Sequence, residues 1–343
     1  MNSQTNRISR DSNMELYRIV CMMLVVLFHV CGVIDITNDN LSPDDRSIGV
    51  LPTQLITSAT FVCVDVFVLL SGWYGIKAKL SKIVAFIYQV LFYSIISYIL
   101  FILFCPDLTF SLNMLFYIFF FENYWFVPTY MILFVISPIL NKFIDNSSHH
   151  EFKYILIAAF IFQCIYGWLI PKEHGFLEGC SPFSFMLLYL LAAYARKYPI
   201  RLKNLSKKSL FILYFLAINI NALVAYFGKI KSNQAVIDTV YQFSSPIIIF
   251  ASLCLLLIFS KIKLRHNTLI NWVAASSFAV FLIHCFPLFI RKIFWPIVEY
   301  YYINYSLFTF IVFSVIFVLL LYISSILIDQ IRIFTYNLIK KVI

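Results

Sequence analysis

Apolar residues along this chain occur in long runs that are separated by short polar segments. A helix needs about 20 mostly apolar residues to cross the hydrocarbon core of a bilayer. Ten runs approach that length: 16–34, 52–72, 82–104, 125–143, 154–170, 182–196, 209–228, 239–260, 272–290 and 305–329. A shorter run, 109–121, lies between the third and the fourth. The pattern predicts an all-α, polytopic membrane protein with about ten transmembrane helices.

The composition fits a chain that lies almost wholly within a bilayer. Of its 343 residues, 62% are hydrophobic and 12% are charged, whereas soluble domains average roughly 25% charged residues. So few polar side chains cannot coat a soluble protein of this size. The segments between the runs are short, so we expect one transmembrane domain over residues 1–343 and no soluble domain.

Basic residues in the short segments predict the orientation of the helices, because cytoplasmic loops are enriched in Lys and Arg. These residues concentrate in the N-terminal tail with Arg7 and Arg10, the loops 73–81, 197–208 and 261–267, and the C-terminal tail. The loops that are mainly acidic instead are 35–51, with Asp35, Asp39, Asp44 and Asp45, and 171–181, with Glu173 and Glu178. Both termini are therefore expected in the cytoplasm, provided that residues 109–143 make one net crossing and 109–121 is a re-entrant or interfacial helix. Arg291 and Lys292 are then expected on the outer side of the membrane, as an exception to the enrichment of basic residues in cytoplasmic loops.

The same loop residues account for the net charge of +10, which therefore indicates membrane topology and not a nucleic acid partner.

The eight cysteines form no CxxC pair, and seven lie in or beside apolar runs. We interpret these seven as small hydrophobic residues, not as disulfides or a metal site. Cys180 lies in a polar loop, and its role stays open. Residues 19–34 lack a cleavage site and are interpreted as a retained first span.

Ionisable side chains inside the apolar runs are the strongest candidates for chemistry, because a charge there is costly. They are Arg18, His29, Asp65 and His284. Arg18 and His29 are eleven residues apart, which on a helix returns to within roughly 20° of the same face, about 16 Å further along. Alternatively, Arg18 anchors the helix at the interface and His29 is a buried histidine with a structural hydrogen bond.

The second and ninth runs carry the other two candidates. Asp65 could balance Arg18 or another buried cation, and Ser71-Gly72 nearby permits close helix packing or a helix end. His284 is expected at the same depth as His29, so that the two could share a polar cavity, and Pro287 after it should kink the helix.

Four of these motifs occur in the order found in the acyltransferase-3 family of membrane acyltransferases, which the chain resembles. They are Arg18 and His29 with ten residues between them, VDVFVLLSGW in the second run, YWFVPTYMILFVISPILN around the fourth and LIHCFP in the ninth. The resemblance covers essentially the whole chain.

The resemblance implies an enzyme of the bacterial inner membrane that spans the bilayer many times. It would move an acyl group, most often acetyl, from cytoplasmic acetyl-coenzyme A to a hydroxyl of a glycan or lipid-linked saccharide. The implied partners are the acyl-CoA donor, the saccharide acceptor and the lipid bilayer. Acetyl-CoA is a substrate, and no permanently bound cofactor or metal is expected.

Carried over residue by residue, the resemblance assigns a catalytic role to His29, as a general base or as a nucleophile, and donor placement to Arg18. Asp65, Ser71 and Gly72 would shape the donor-side opening. An Arg-rich motif common in the family is replaced by Lys77, Lys79 and Lys82, which hold phosphates as point charges but not bidentately. We further expect His284 to stabilise the oxyanion, and Asn123 and Trp125 to bind the acceptor.

Two other classes of function remain possible from the residues alone. Buried charges and many spans also suit a transporter or flippase of a glycan precursor, although no internal repeat is visible. A glycan polymerase would be expected to carry a large outer loop, which this chain lacks.

Overall fold

The computed structural model describes residues 11–42, 46–170 and 175–342, and every regular element in these ranges is helical. The predictions for Arg7, Arg10, Asp44, Asp45 and Glu173 lie outside the described residues. The α-helices are α1 (Ser12–Asn40), α2 (Val50–Phe61), α3 (Cys63–Tyr74), α4 (Leu80–Phe104), α5 (Leu112–Phe119), α6 (Phe126–Asn146), α7 (His149–Phe162), α8 (Pro182–Lys197), α9 (Arg201–Asn204), α10 (Lys207–Ile230), α11 (Gln234–Val240), α12 (Pro246–Ser260), α13 (Thr268–Ala275), α14 (Ser277–His284), α15 (Pro287–Phe289), α16 (Trp295–Asn304) and α17 (Leu307–Val342).

Seven helical segments of the described chain are long and apolar enough to cross a membrane, and these are Ser12–Asn40, Val50–Tyr74, Leu80–Phe104, Phe126–Asn146, His149–Leu169, Lys207–Ile230 and Leu307–Lys340. Each corresponds to a run predicted from the sequence. Their outward faces carry large exposed apolar side chains, such as Phe308 and Phe334 on α17. A soluble protein rarely exposes such surfaces, so the helices form a membrane-embedded bundle. The total of ten crossings and the cytoplasmic position of the termini remain predictions.

Three predicted spans differ in the structure, and a proline explains two of the differences. The run 182–196 corresponds to α8, which has 16 residues, whereas a span needs about 20. The run 239–260 becomes the short helix α12, because Pro246 occupies its first turn and starts a new helix after a turn at residues 241–245. The run 272–290 breaks after His284, as the proline predicted, and the segment Pro287–Asn304 is bent by 64° relative to the segment Thr268–His284. Arg291 and Lys292 therefore lie in a helical segment and not in a loop.

The prediction of a loop over residues 35–51 is wrong for residues 35–40, because α1 continues to Asn40. Lys229 on α10 holds this extension through ion pairs with Asp35 (2.9 Å) and Asp39 (2.8 Å). The Asn38 amide oxygen also accepts a hydrogen bond from Tyr302 (2.6 Å). These partners come from distant parts of the sequence, so the helix end could not be located from the local pattern.

Helix α1 lies beside α13 and α14 and runs in the same direction. At its start, the Ser12 hydroxyl donates to the Asn271 amide oxygen (3.0 Å) and accepts from the Asn267 backbone N–H (2.8 Å). Nearly five turns further along, at about 3.6 residues per turn, His29 meets His284, with ring centroids 5.3 Å apart. The prediction that the two histidines lie at the same depth is confirmed.

Candidate active site

A cavity of about 460 Å³ lies between α1, α3, α4, α6 and the α13–α14 pair. Its volume falls within the usual range for small-molecule sites. One end is basic and is lined by Arg18, Lys77 and Lys82. The remainder is mostly apolar and aromatic, with Val25 and Phe281 among the lining residues. The cavity therefore combines a cationic opening with an apolar inner part, called the throat below, which is lined by Met22, Val25 and Phe281.

Arg18 is paired inside its own helix. Its guanidinium donates to the Glu15 carboxylate one turn earlier, at 2.8 Å, and the Glu15 side chain is 8% exposed. The Arg18 side chain remains 32% exposed. Because a guanidinium has five N–H donors, the Glu15 contact leaves donors free to bind an anion in the cavity.

The three lysines predicted to hold donor phosphates separate into two groups. Lys77 and Lys82 line the cavity. Lys79 lies between them in sequence and is exposed, but it is the residue just before α4 and does not line the cavity. The structure thus places two of the three side chains at the cavity.

Ser71 and Gly72 lie next to each other on α3 but face different neighbours. Ser71 lines the cavity, and its hydroxyl lies 3.0 Å from that of Tyr130, another lining residue. Gly72 faces away, against the backbone of Tyr189 on α8. The predicted close approach at Gly72 is confirmed, so this residue affects the cavity by letting two helices pack and not by lining it.

Asp65 is fully buried, but the structure does not pair it with Arg18. Neither carboxyl oxygen has a hydrogen-bond partner. The Ser252 hydroxyl of α12 lies nearby, yet it donates to the Val62 carbonyl (3.3 Å). The hypothesis that Asp65 balances Arg18 is therefore wrong in this structure, because helix α3 turns Asp65 toward α12 while Arg18 already has Glu15.

The two histidines lie one helical turn beyond the apolar part of the cavity. Val25 is four residues before His29 on α1, and Phe281 is three residues before His284 on α14. Arg18, Met22 and Val25 all line the cavity, and their spacing of four and three residues continues to His29 on the same face. Helix α1 therefore leads from the basic opening to His29.

Cys285 lies between the two imidazoles. Its Sγ is 3.3 Å from His284 Nε2 and 3.5 Å from His29 Nε2. The side-chain atoms of His29, His284 and Cys285 that could bind a metal ion all lie within 4.8 Å of one another. Its backbone N–H donates to the Phe281 carbonyl (3.0 Å), so Cys285 continues the turn that begins at a cavity-lining residue.

The hydrogen bonding of His284 determines which of its ring nitrogens carries the proton. Nδ1 lies 2.6 Å from the Val280 carbonyl oxygen, which can only accept, so Nδ1 carries the hydrogen. In the neutral ring, Nε2 is then a lone-pair acceptor directed at Cys285. The predicted oxyanion-donor role of His284 therefore requires that Nε2 has first taken up a proton.

Asn123 and Trp125 belong to the connection between α5 and α6, which Tyr124 anchors. The Tyr124 hydroxyl donates to the Leu282 carbonyl (2.6 Å), close to where α14 breaks before Pro287. Trp125 is 41% exposed and lines the cavity, with one face stacked on Phe243. Asn123 does not line the cavity, and its amide nitrogen is buried without a partner.

A family model described as an acyltransferase domain, that of the acyltransferase-3 family, matches residues 11–329 of the 343. The chain belongs to the acyltransferase-3 family. Comparison with the curated proteins and with the solved structures gave no significant match. The chain is thus a multi-pass membrane acyltransferase by family, and the interpretation as a transporter or polymerase is disfavoured.

Within this acyltransferase, the cluster of His29, His284 and Cys285 has the side chains and spacing to hold a metal ion. Two imidazole nitrogens and a thiolate are suitable ligands for zinc, and a catalytic zinc site has three protein ligands and one open position. The backbone carbonyl that orients His284 is also the kind of partner that metal-bound histidines have. The expectation that the site has no metal therefore remains a prediction.

Sequence reasoning missed three residues of the site. Glu15 was overlooked because it precedes the first apolar run, although its spacing of three from Arg18 was visible. Cys285 was assigned to the apolar background, although it directly follows His284. Asp329 on α17 was overlooked at the end of the last run. It is fully buried and binds Arg332 (2.8 Å), Tyr93 (2.8 Å) and Ser276 (2.9 Å).

Proposed function

We propose that this protein transfers an acetyl group from cytoplasmic acetyl-CoA to a hydroxyl of a surface or exported saccharide. The observation that carries the proposal is the cavity, which runs along α1 from a cationic opening to within one helical turn of the His29–His284 pair. This arrangement suits a donor with a highly charged end and a reactive thioester at the tip of a long neutral arm.

The donor would bind with its phosphates at the basic end of the cavity. Lys77, Lys82 and the unpaired N–H groups of Arg18 supply positive charge there. The neutral arm would lie along the apolar throat past Met22 and Val25. Arg18 and His29 are eleven residues apart, or about 16 Å along the helix. The thioester could therefore reach His29 while the phosphates stay at the basic opening of the cavity.

His29 would act as the general base on the acceptor hydroxyl. A neutral imidazole can take the hydroxyl proton as the oxygen attacks the acyl carbon, and such catalysis contributes typically 10²–10⁴-fold to the rate. The aromatic rings beside His29 would limit the access of water to the thioester. Among the described residues, His29 and His284 are the histidines that lie one turn beyond the cavity.

The acceptor would approach from the opposite side to the donor. Helix α1 continues for eleven residues after His29, as far as Asn40, so the histidine lies near the middle of a long helix. Trp125 lines the cavity and offers an exposed aromatic ring on which a sugar could stack. Asn123 is nearby in sequence, with an amide nitrogen that has no protein partner.

The proposal is tested by mass analysis of surface and exported glycans from cells that carry the wild type or His29→Ala. We expect acetyl groups on the wild-type glycan and their loss from the variant, with equal amounts of protein in the membrane. His150→Ala, which changes an exposed histidine, is the matched control and should leave acetylation intact. Full acetylation by His29→Ala would contradict the catalytic role, and loss of the glycan itself from the surface would favour the flippase.

A further inference from the structure

Cys285 is the nucleophilic side chain closest to the two histidines, and general-base transfer to the acceptor does not use it. We propose that the Cys285 thiol is a covalent acyl carrier, which accepts the acyl group from the donor thioester and passes it to the acceptor hydroxyl. This inference rests on the proposed function, because it assigns an intermediate to the same site.

The first support is the position of Sγ between two imidazole nitrogens. A thiol becomes a strong nucleophile when a base removes its proton, and nucleophile and base must lie within hydrogen-bond reach. Sγ lies 3.3 Å from His284 Nε2 and 3.5 Å from His29 Nε2. The hydrogen bond from Nδ1 to the Val280 carbonyl leaves the lone pair of His284 Nε2 free to take the thiol proton.

The second support is access from the cavity. Phe281 lines the cavity, and Cys285 follows four residues later, as the residue that caps the C-terminus of α14. Its backbone N–H still bonds to the Phe281 carbonyl, so the helical turn between the two residues is intact. Cys285 is partly exposed, whereas His284 behind it is fully buried. The thiol thus lies about one turn beyond the cavity lining and has more exposed surface than His284.

The two steps balance without any further reagent. In the first, His284 takes the thiol proton, Sγ attacks the acyl carbon, the bond from carbon to the coenzyme A sulfur breaks, and the proton leaves with free coenzyme A. In the second, the acceptor oxygen attacks the acyl carbon while His29 takes its proton. The bond between carbon and Sγ then breaks, and the thiolate recovers the proton. Both the donor and the intermediate are thioesters, so the first step is close to thermoneutral.

A carrier between the two histidines explains why the site has two bases. Each half-reaction needs a base beside a different attacking atom. His284 is oriented toward Cys285 by its own helix, and His29 belongs to α1, which leads in from the basic opening. Because the acyl group stays on the protein, the donor can leave before the acceptor attacks, so the two substrates need not be bound at the same time.

The test uses the full chain, purified in detergent or nanodiscs and incubated with radiolabelled acetyl-CoA in the absence of acceptor. We expect up to one acetyl group per chain, released by neutral hydroxylamine and located on Cys285 by peptide mass spectrometry. The protein should also exchange label between acetyl-CoA and free coenzyme A. Cys285→Ala should lose both signals, whereas Cys31→Ala, which changes a buried cysteine two residues after His29, should keep them.

Folding is checked separately by comparing the thermal unfolding of Cys285→Ala and Cys285→Ser with the wild type. Glycan acetylation at the wild-type rate by a folded Cys285→Ala protein would overturn the carrier and leave the proposed function standing. Acetyl found on His29 would overturn it too, as would a stoichiometric metal whose removal abolishes transfer. If the wild type neither exchanges label nor acetylates glycan, the proposed function itself fails.

Discussion

Gly72 lies so close to α8 that a Cβ atom at this position would be 2.2 Å from the Tyr189 carbonyl oxygen and 2.7 Å from its Cα. Both atoms belong to the backbone, so no side chain can move aside. The contact determines how far α3 stands from α8, and with it the position of Ser71, which lines the cavity beside Gly72.

Replacing this glycine should therefore separate the two helices. We expect Gly72→Ala to lower stability by about 1–3 kcal/mol, as overpacking does, and to reduce acyl transfer because the cavity wall moves. The measurement is thermal unfolding in detergent together with donor-dependent acetylation. Gly32→Ala is the control, because a Cβ atom there meets nothing within 4 Å. If both variants behave like the wild type, α3 and α8 do not pack as described.

The lysines near the cavity should differ in their effect on donor binding. We expect Lys77→Ala combined with Lys82→Ala to raise the KM for acetyl-CoA about tenfold, if each lost charge removes roughly 0.7 kcal/mol of binding. The effect should weaken at high salt, because exposed charges are screened. Lys79→Ala, which changes an exposed lysine that does not line the cavity, should leave the KM within about twofold. An equal rise for Lys79→Ala would show that the phosphates bind elsewhere.

The throat should be sensitive to volume at Val25, the last lining residue before His29 on α1. We expect Val25→Phe to lower kcat at least tenfold, because the added ring blocks the path of the thioester, while coenzyme A still binds at the basic end. Steady-state rates and binding of coenzyme A measure the two effects separately. Leu27→Phe is the control on the same helix, at a residue that does not line the cavity. Normal turnover by Val25→Phe would mean that the acyl group travels by another route.

The buried Asp329–Arg332 pair should support the wall of the cavity. Asp329 also accepts a hydrogen bond from Ser276, which lies between the lining residues Ala275 and Ser277. Removing one partner of a buried ion pair costs typically 3–5 kcal/mol, so Asp329→Asn should markedly lower the unfolding temperature and the activity. Asp145→Asn, at an exposed position on α6, should change neither. An unchanged unfolding temperature for Asp329→Asn would show that the pair is not needed for folding.

The sequence was a good guide to what hydrophobicity and helical spacing determine. Seven of the predicted runs are long apolar helices, and the stripe from Arg18 to His29 follows from 3.6 residues per turn. The partners of buried polar groups were harder to predict. Cys285 meets His29, and Asp329 meets Tyr93, only when distant helices pack together. Glu15 acquires its role from Arg18, one turn later on the same helix. The orientation of Asp65 toward α12 likewise depends on tertiary packing that no local pattern encodes.

The aromatic rings around His29 also bear on the barrier that the membrane must maintain. Phe28 and Phe294 lie beside the imidazole, with centroids at 5.5 and 6.4 Å, and Phe28 packs edge-on against Phe61. A route that carries an acyl group part of the way through a bilayer would, if filled with water, also conduct protons. Because apolar rings lie beside His29, an acyl group carried to it in the proposed reaction would leave no continuous path of water along which protons could cross.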